Sequence, residues 1–441
     1  MENRKQLVII ALDGVPFSLL KKMIALGAMP NLENLVKAGE FRPINSVHPP
    51  ISSVAWASFL TGEKPAVHGI TGFVERNPAT WEWFVPNASH LKVKTILQLL
   101  SDSGWRVFSM NVPVTYPPQK VNGIVISGFL NTDLARATHP PAIGMFLKAR
   151  GYQIDVDVEI GKKNPAQFYR QLKEVMQKRF EMMEYFYQKE HWPYFMAHIM
   201  ETDRLHHFFW KYFEDAIEPH ATNFLNFYRI LDEHLGRFLK RLPEHSALIM
   251  LSDHGFSGLK YEVNLNRWFL ENGYYFVNEV PPKSLQDLHP FTSAYSLYPG
   301  RVYINLKGRE KLGKVNPGVE YENLCNEITD KLMQLTDPDG HPVIKEVVRG
   351  YRVYGLPEKS GVQLFVDMTQ IDNVPDLLAI PNKGYDLKGV LWANTTFNQT
   401  EFNGTHTFDD AFLLTRNLQA VKKADDIRDV HFLIKEFFNL Q

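Results

Sequence analysis

Five continuous apolar runs, 6–12, 106–112, 123–127, 194–200 and 246–252, punctuate this chain, with longer stretches of helical spacing between them. Short runs of this kind suit strands buried on both faces, as in a parallel sheet. Residues 90–104, 166–189 and 221–241 each carry apolar residues three and four apart, giving one apolar stripe per helix. The alternation predicts an α/β fold: a three-layer sandwich with a central, mostly parallel sheet and helices on both faces. The Met and aromatic residues of 166–189 read as core.

From about 256 the texture changes. Gly, Pro and Tyr increase, with turns at Pro281-Pro282, Pro299-Gly300, Pro338-Asp339-Gly340 and Pro381-Asn382. Short strands are expected at 302–305 and 362–366. Residues 256–390 are read as a smaller α+β insertion that shapes a substrate pocket. Its aromatics Trp268, Tyr274, Tyr275, Phe276 and Tyr295 could stack on a base or sugar, but they suit a minor core better. The chain then returns to the core through strands at 389–393 and 411–415, and closes with a helix at 425–439. The core domain is therefore 1–255 with 391–441.

Lysine and arginine number 48 against 49 acids, so no basic excess points to a nucleic acid polymer. No stretch approaches the roughly 18 apolar residues of a membrane span. The apolar run after MENRKQ is too short for a signal core, and Cys325 is the single cysteine, so a cytosolic protein is expected. N-x-S/T triplets begin at Asn87, Asn394, Asn398 and Asn403, where no glycosylation is expected without a secretion signal.

Polar residues at or just after the run ends carry the chemistry. Asp13 and Gly14 follow the first run, where open α/β sheets bind ligands; alone, Asp13 could simply cap the next helix. Pro49-Pro50 precede Ser52 and Ser53, a helix start whose free N–H groups favour an alkoxide or a phosphate, although an ordinary serine cap fits too. Asp203 and His207 sit one helical turn apart, and His206 points roughly 100° away. Asp253 and His254 end an apolar run before Gly255. His406 stands in a polar loop, where a histidine is usually only solvated. His68 is read as a packing residue. Three carboxylates, three imidazoles and a spare hydroxyl are what two zinc-like cations and a nucleophile require.

With these segments in order, the chain resembles the alkaline phosphatase superfamily, in its type I phosphodiesterase/nucleotide pyrophosphatase branch. The matching stretches are VIIALDGV, PPISSVAWASFLTGEKPAVHGI, ETDRLHHFFW, MLSDHGF and FNGTHTF. The resemblance implies an alkaline-phosphatase-like fold. It implies two divalent ions, zinc by preference, with manganese or iron as competitors. Asp203, His207 and His406 would hold one; Asp13, Asp253, His254 and the Ser52 oxygen would hold the other. It also implies in-line attack by Ser52 and a phosphoserine intermediate. Relatives usually carry threonine at the nucleophile and asparagine three residues later; here stand Ser52 and Ala55. Asn111 or Thr202 could supply the missing donor to a phosphoryl oxygen. Asp410 occupies a position where relatives often have glycine, and could alter the pocket rim.

Two divalent cations would bring four positive charges, and three aspartates with a serine alkoxide four negative ones. A neutral centre holds a diester anion readily, whereas a dianionic monoester would want a further cation, for which Arg204 is the candidate. A phosphodiesterase acting on a small phosphate ester is thus expected. Alternatives are a phosphotransferase or phosphomutase on the same centre and a non-catalytic binding protein. A sulfatase is disfavoured, because the segment from Ser52 lacks the C/S-x-P-x-R motif.

Overall fold

A computed structural model describes residues 5–129, 133–356, 373–418 and 424–440. They form two compact units: residues 1–63, 87–258 and 401–441 in one, and 64–86 with 259–400 in the other.

The first unit is built on an eight-stranded sheet, bearing out the expected α/β architecture with a central, mostly parallel sheet. Its strands are β1 (Leu7–Leu12), β2 (Glu40–Ile44), β3 (Val107–Val112), β4 (Gly123–Ser127), β5 (Thr138–His139), β6 (Tyr194–Ile199), β7 (Ala247–Leu251) and, late in the chain, β10 (Ala411–Arg416). Two short strands between β7 and β10, β8 (Gly255–Gly258) and β9 (Gly404–Thr407), pair with each other. The sheet order is β2-β10-β7-β1-β6-β3-β4-β5. The inner pairs β7-β1, β1-β6, β6-β3 and β3-β4 are parallel, and the outer pairs are antiparallel. Every residue of β1, β3, β6 and β7 is buried, as two-sided coverage requires.

Helices α1 (Ser52–Thr61), α2 (Pro165–Lys189), α3 (Glu201–Glu214), α4 (His220–Leu239) and α5 (Ile427–Phe438) belong to this unit. The Met and aromatic residues of α2 are core: Phe168, Leu172, Met176, Phe180 and Met183 are fully buried. The expected helix 90–104 is instead a short 3-10 turn followed by a helix at Ile96–Asp102. Thr95 resets the start, because its side chain and that of Gln98 satisfy each other's backbone N–H groups.

The second unit has its own core around Trp268, Phe269, Tyr295, Tyr303, Ile304 and Ile328. A four-stranded antiparallel sheet supports it, with strands Ala294–Leu297, Arg301–Ile304, Leu377–Pro381 and Ile344–Arg349 in that order. Tyr274 and Tyr275 are buried in the same core, so these aromatics are packing residues, while Phe276 is half-buried. Residues 64–86 join this unit through buried ion pairs of Arg76 with Glu310 and Glu75 with Arg301. The strand expected at 389–393 does not form. The carbonyls of Val390 and Leu391 accept from the Asn266 amide and the Tyr275 hydroxyl, so side chains take the place of a neighbouring strand. The run 362–366 lies outside the described residues.

Candidate metal centre

Register brings the polar residues together. Leu12 of β1 pairs with Ile199 of β6, and Ala11 with Leu251 of β7. Three parallel strands therefore end at one level, and Asp13, the start of α3 and Asp253 all leave from that edge.

Asp13 does not cap the following helix. Its Oδ2 accepts from Trp56 Nε1 at 2.9 Å and lies 2.7 Å from His198 Nε2, while its Oδ1 accepts from the Ser52 hydroxyl at 3.2 Å. Ser52 opens α1, but Ile51 is the N-cap residue and no side chain caps that end. The hydroxyl is thus turned to Asp13 and to His254 Nε2, 3.4 Å away. Gly14 has φ +63°, and a Cβ there would stand 3.0 Å from the His254 ring and 3.2 Å from Asp203 Oδ1. Its N–H donates to Asp253 Oδ1 at 3.1 Å. The bare turn is what lets Asp203 and His254 approach.

Asp203 and His207 share a face of α3, as their spacing requires, with 3.5 Å between Oδ1 and Nε2. His406 was expected in a loop, but it lies in β9, where pairing with Phe256 of β8 carries it over the end of β7. There its Nε2 stands 3.1 Å from Asp203 Oδ1 and 3.0 Å from His207 Nε2, and its ring stacks on that of His254 at 3.8 Å.

The tautomers are fixed by backbone. Nδ1 of His207, His254 and His406 faces the carbonyls of Gly404, Gly255 and Pro50 at 3.1, 3.0 and 3.1 Å. A carbonyl only accepts, so each Nδ1 carries a proton, and each Nε2 is turned inward with a lone pair to offer when the ring is neutral. Two groups at this edge have the spacing of cation sites: Asp203 with His207 and His406, and Asp13 with Asp203 and His254. Asp203 belongs to both, and Asp253 borders the second, with its Oδ2 3.4 Å from His254 Nε2.

Burial, joined by the charges of Asp13 and Asp203, pushes the Asp253 carboxyl well above the usual range. Its Oδ2 is buried with no hydrogen-bond partner among the described residues. Burial also opposes ionisation of Asp203, but His207, His406 and Arg204 hold it well below the usual range. Burial and then His406 lower His254 to about 3, so it is a neutral nitrogen donor. Crowded carboxylates, an orphaned oxygen and inward lone pairs are the donor set of divalent cations.

The remaining expected residues take supporting places. Asn111 sits at a bulge in β3 with φ 66°, so its side chain leaves the strand pattern. Its amide donates to the Ile154 carbonyl and accepts from the Tyr152 hydroxyl, both at 3.0 Å. The Thr202 hydroxyl donates to the Asp13 carbonyl at 2.7 Å. The Thr202 proton is thus spent on backbone carbonyls, and the Asn111 amide is engaged through both its nitrogen and its oxygen. Arg204 reaches Asp203 Oδ2 at 3.2 Å, but its guanidinium is also paired with Asp155. His206 is pinned between the Gly14 carbonyl and the Tyr228 hydroxyl at 2.9 and 2.7 Å. His68 is buried and its Nδ1 accepts from the Ile70 N–H. Sequence reading missed His198 and Trp56, whose only signals were a histidine inside an apolar strand and a tryptophan one turn after Ser52.

The family profile described as type I phosphodiesterase / nucleotide pyrophosphatase matches residues 7–409. A comparison with curated proteins finds no match. Among solved structures, phosphonoacetate hydrolase from Sinorhizobium meliloti 1021, in complex with phosphonoformate, is 16% identical, with a TM-score of 0.65 over 98% of this chain and 96% of that one. Murine ectonucleotide pyrophosphatase / phosphodiesterase 5, an inactive form in complex with AMP, is 13% identical, with a TM-score of 0.59 over 99% and 96%. The human counterpart is 14% identical, with a TM-score of 0.57 over the same shares. Likeness at these identities speaks for the fold, and the profile over nearly the whole chain speaks for more: the protein belongs to the type I phosphodiesterase/nucleotide pyrophosphatase family of phosphoric ester hydrolases.

Proposed function

We propose that this chain is a two-metal phosphodiesterase in which Ser52 is the nucleophile. The observation that carries the reading is the inward convergence of three Nε2 lone pairs and buried carboxylates around a serine hydroxyl that caps no helix. Asp203, His207 and His406 would hold one cation; Asp13, Asp253, His254 and the Ser52 oxygen would hold the other. The nitrogen and oxygen donor set suits zinc, with manganese or iron as competitors. When bound, the cations would supply Lewis acidity toward the phosphoryl oxygens and lower the Ser52 pKa.

Ser52 Oγ attacks phosphorus in line, the Oγ–P bond forms as the bond to the leaving oxygen breaks, and water then cleaves Oγ–P to restore the serine. The charge of Arg204 is matched by Asp155, which leaves the centre suited to a monoanionic diester over a dianionic monoester. The test is a panel of chromogenic diesters, monoesters, phosphonates and nucleotide sugars on metal-loaded protein. Preferential diester turnover that disappears in Ser52→Ala supports the reading; full activity in that variant ends the nucleophile assignment.

A further inference from the structure

Asp13 presents its two oxygens to different worlds. Oδ2 is held by Trp56 Nε1 at 2.9 Å and lies 2.7 Å from His198 Nε2; Oδ1 faces Ser52 Oγ at 3.2 Å and His254 Nε2 at 3.7 Å. His198 comes from β6 and Trp56 from the helix that begins at Ser52. Both are fully buried, and the indole meets the imidazole edge-on, with centroids 4.9 Å apart and planes at 88°. His198 has no other hydrogen bond, for its Nδ1 is buried without a partner among the described residues. An unsatisfied buried nitrogen costs about 1–3 kcal/mol, so an apolar residue would serve packing in this strand better. The single contact that accounts for an imidazole here is the one to Asp13.

We propose that His198 and Trp56 are positioning residues: together they lock the Asp13 carboxylate so that Oδ1 alone is offered to the cation beside Ser52. Neither touches the reacting atoms. The pair fixes a ligand's rotamer from behind, as outer hydrogen bonds around metal ligands do. Because Trp56 rides on α1, the same clamp ties the ligand oxygen to the helix that carries the nucleophile. This inference rests on the two-cation reading above.

The experiment is titration of metal-free protein with Zn2+ against a competing chelator, alongside thermal unfolding. The variants are His198→Leu, His198→Gln and Trp56→Phe, with Asp253→Ala marking which step belongs to the Asp13 site. The expected result is a loss of roughly 10- to 100-fold in affinity at that site in His198→Leu, with the Asp203–His207–His406 step unchanged. His198→Gln, whose amide can donate from the same place, restores most of it. Trp56→Phe keeps the ring and loses the donor, and should weaken the same step alone; it carries the test if His198→Leu does not fold. Two wild-type binding steps in His198→Leu, or in Trp56→Phe should it stand alone, overturn the inference. So does a His198→Gln variant no better than His198→Leu. A wild-type chain that binds no cation overturns the two-cation reading and takes this inference with it.

Discussion

The Nε2 atoms of His207 and His406 stand 3.0 Å apart, although they come from a helix and a strand nearly two hundred residues distant in sequence. With each Nδ1 proton held by a backbone carbonyl, the two rings turn their Nε2 atoms toward each other. Nothing in ordinary packing favours that contact, whereas a shared cation makes it attractive.

Removing the Ser52 hydroxyl should separate binding from chemistry. In Ser52→Ala, diester turnover is expected to fall by about 10³-fold or more, while the protein folds and the ligand side chains remain. Rapidly quenched wild-type protein should carry a phosphoryl group on Ser52, detectable by mass spectrometry, and Ser52→Ala should carry none.

Gly14→Ala places a Cβ within 3.0 Å of the His254 ring in a backbone turn of φ +63°. The left-handed backbone alone costs an alanine about 1–2 kcal/mol. Displacement of His254 and Asp203 should lower turnover by roughly tenfold or more, since small misplacements at a reacting centre are expensive. Chemical denaturation and steady-state kinetics check the two parts separately.

Asp410 proves to be a capping residue. At φ 76° it accepts from the Ser18 N–H at 3.0 Å and from the Ser18 hydroxyl, at the start of the helix Phe17–Ala25. Asp410→Ala should destabilise the protein by about 1–2 kcal/mol, with Asn and Gly, which accept a left-handed backbone, costing less. Turnover by the folded variants should not change; a drop in turnover without a drop in stability would place Asp410 at the pocket instead.

His431, on α5, is buried, and burial followed by the nearby Lys435 charge lowers it to about 4. Its folded pKa lies below the unfolded value near 6.5, so folding favours the neutral ring. That contribution is fully present above about pH 6.5 and is lost as pH falls through 6.5 toward 4. His431→Gln should flatten this acid limb of the stability curve by up to about 3 kcal/mol, measured by urea unfolding from pH 7 to pH 4. Equal pH slopes in both proteins would contradict it.

The strands ending at Leu12 and Leu251 were readable because each is a closed apolar run, and the strand ending at Ile199 because His198 alone interrupts its run. The spacing of Asp203 and His207 was readable because one helical turn fixes a shared face. His198 was not, since one polar residue in a buried strand gives no hint of a partner 185 residues away. Asn111 misled because a bulge, which no local pattern announced, turns its side chain into the core. The attachment of residues 64–86 to the second unit escaped for a similar reason: Arg76 and Glu310 find each other only in the fold.

The most direct test of the account is metal stoichiometry. Purified wild-type chain, loaded with Zn2+ and freed of excess, should carry two ions, read by elemental analysis. Asp253→Ala combined with His254→Ala should carry about one and lose diester turnover. Unchanged metal content in that double variant, or a folded wild-type chain that turns over diesters with no metal at all, would contradict it.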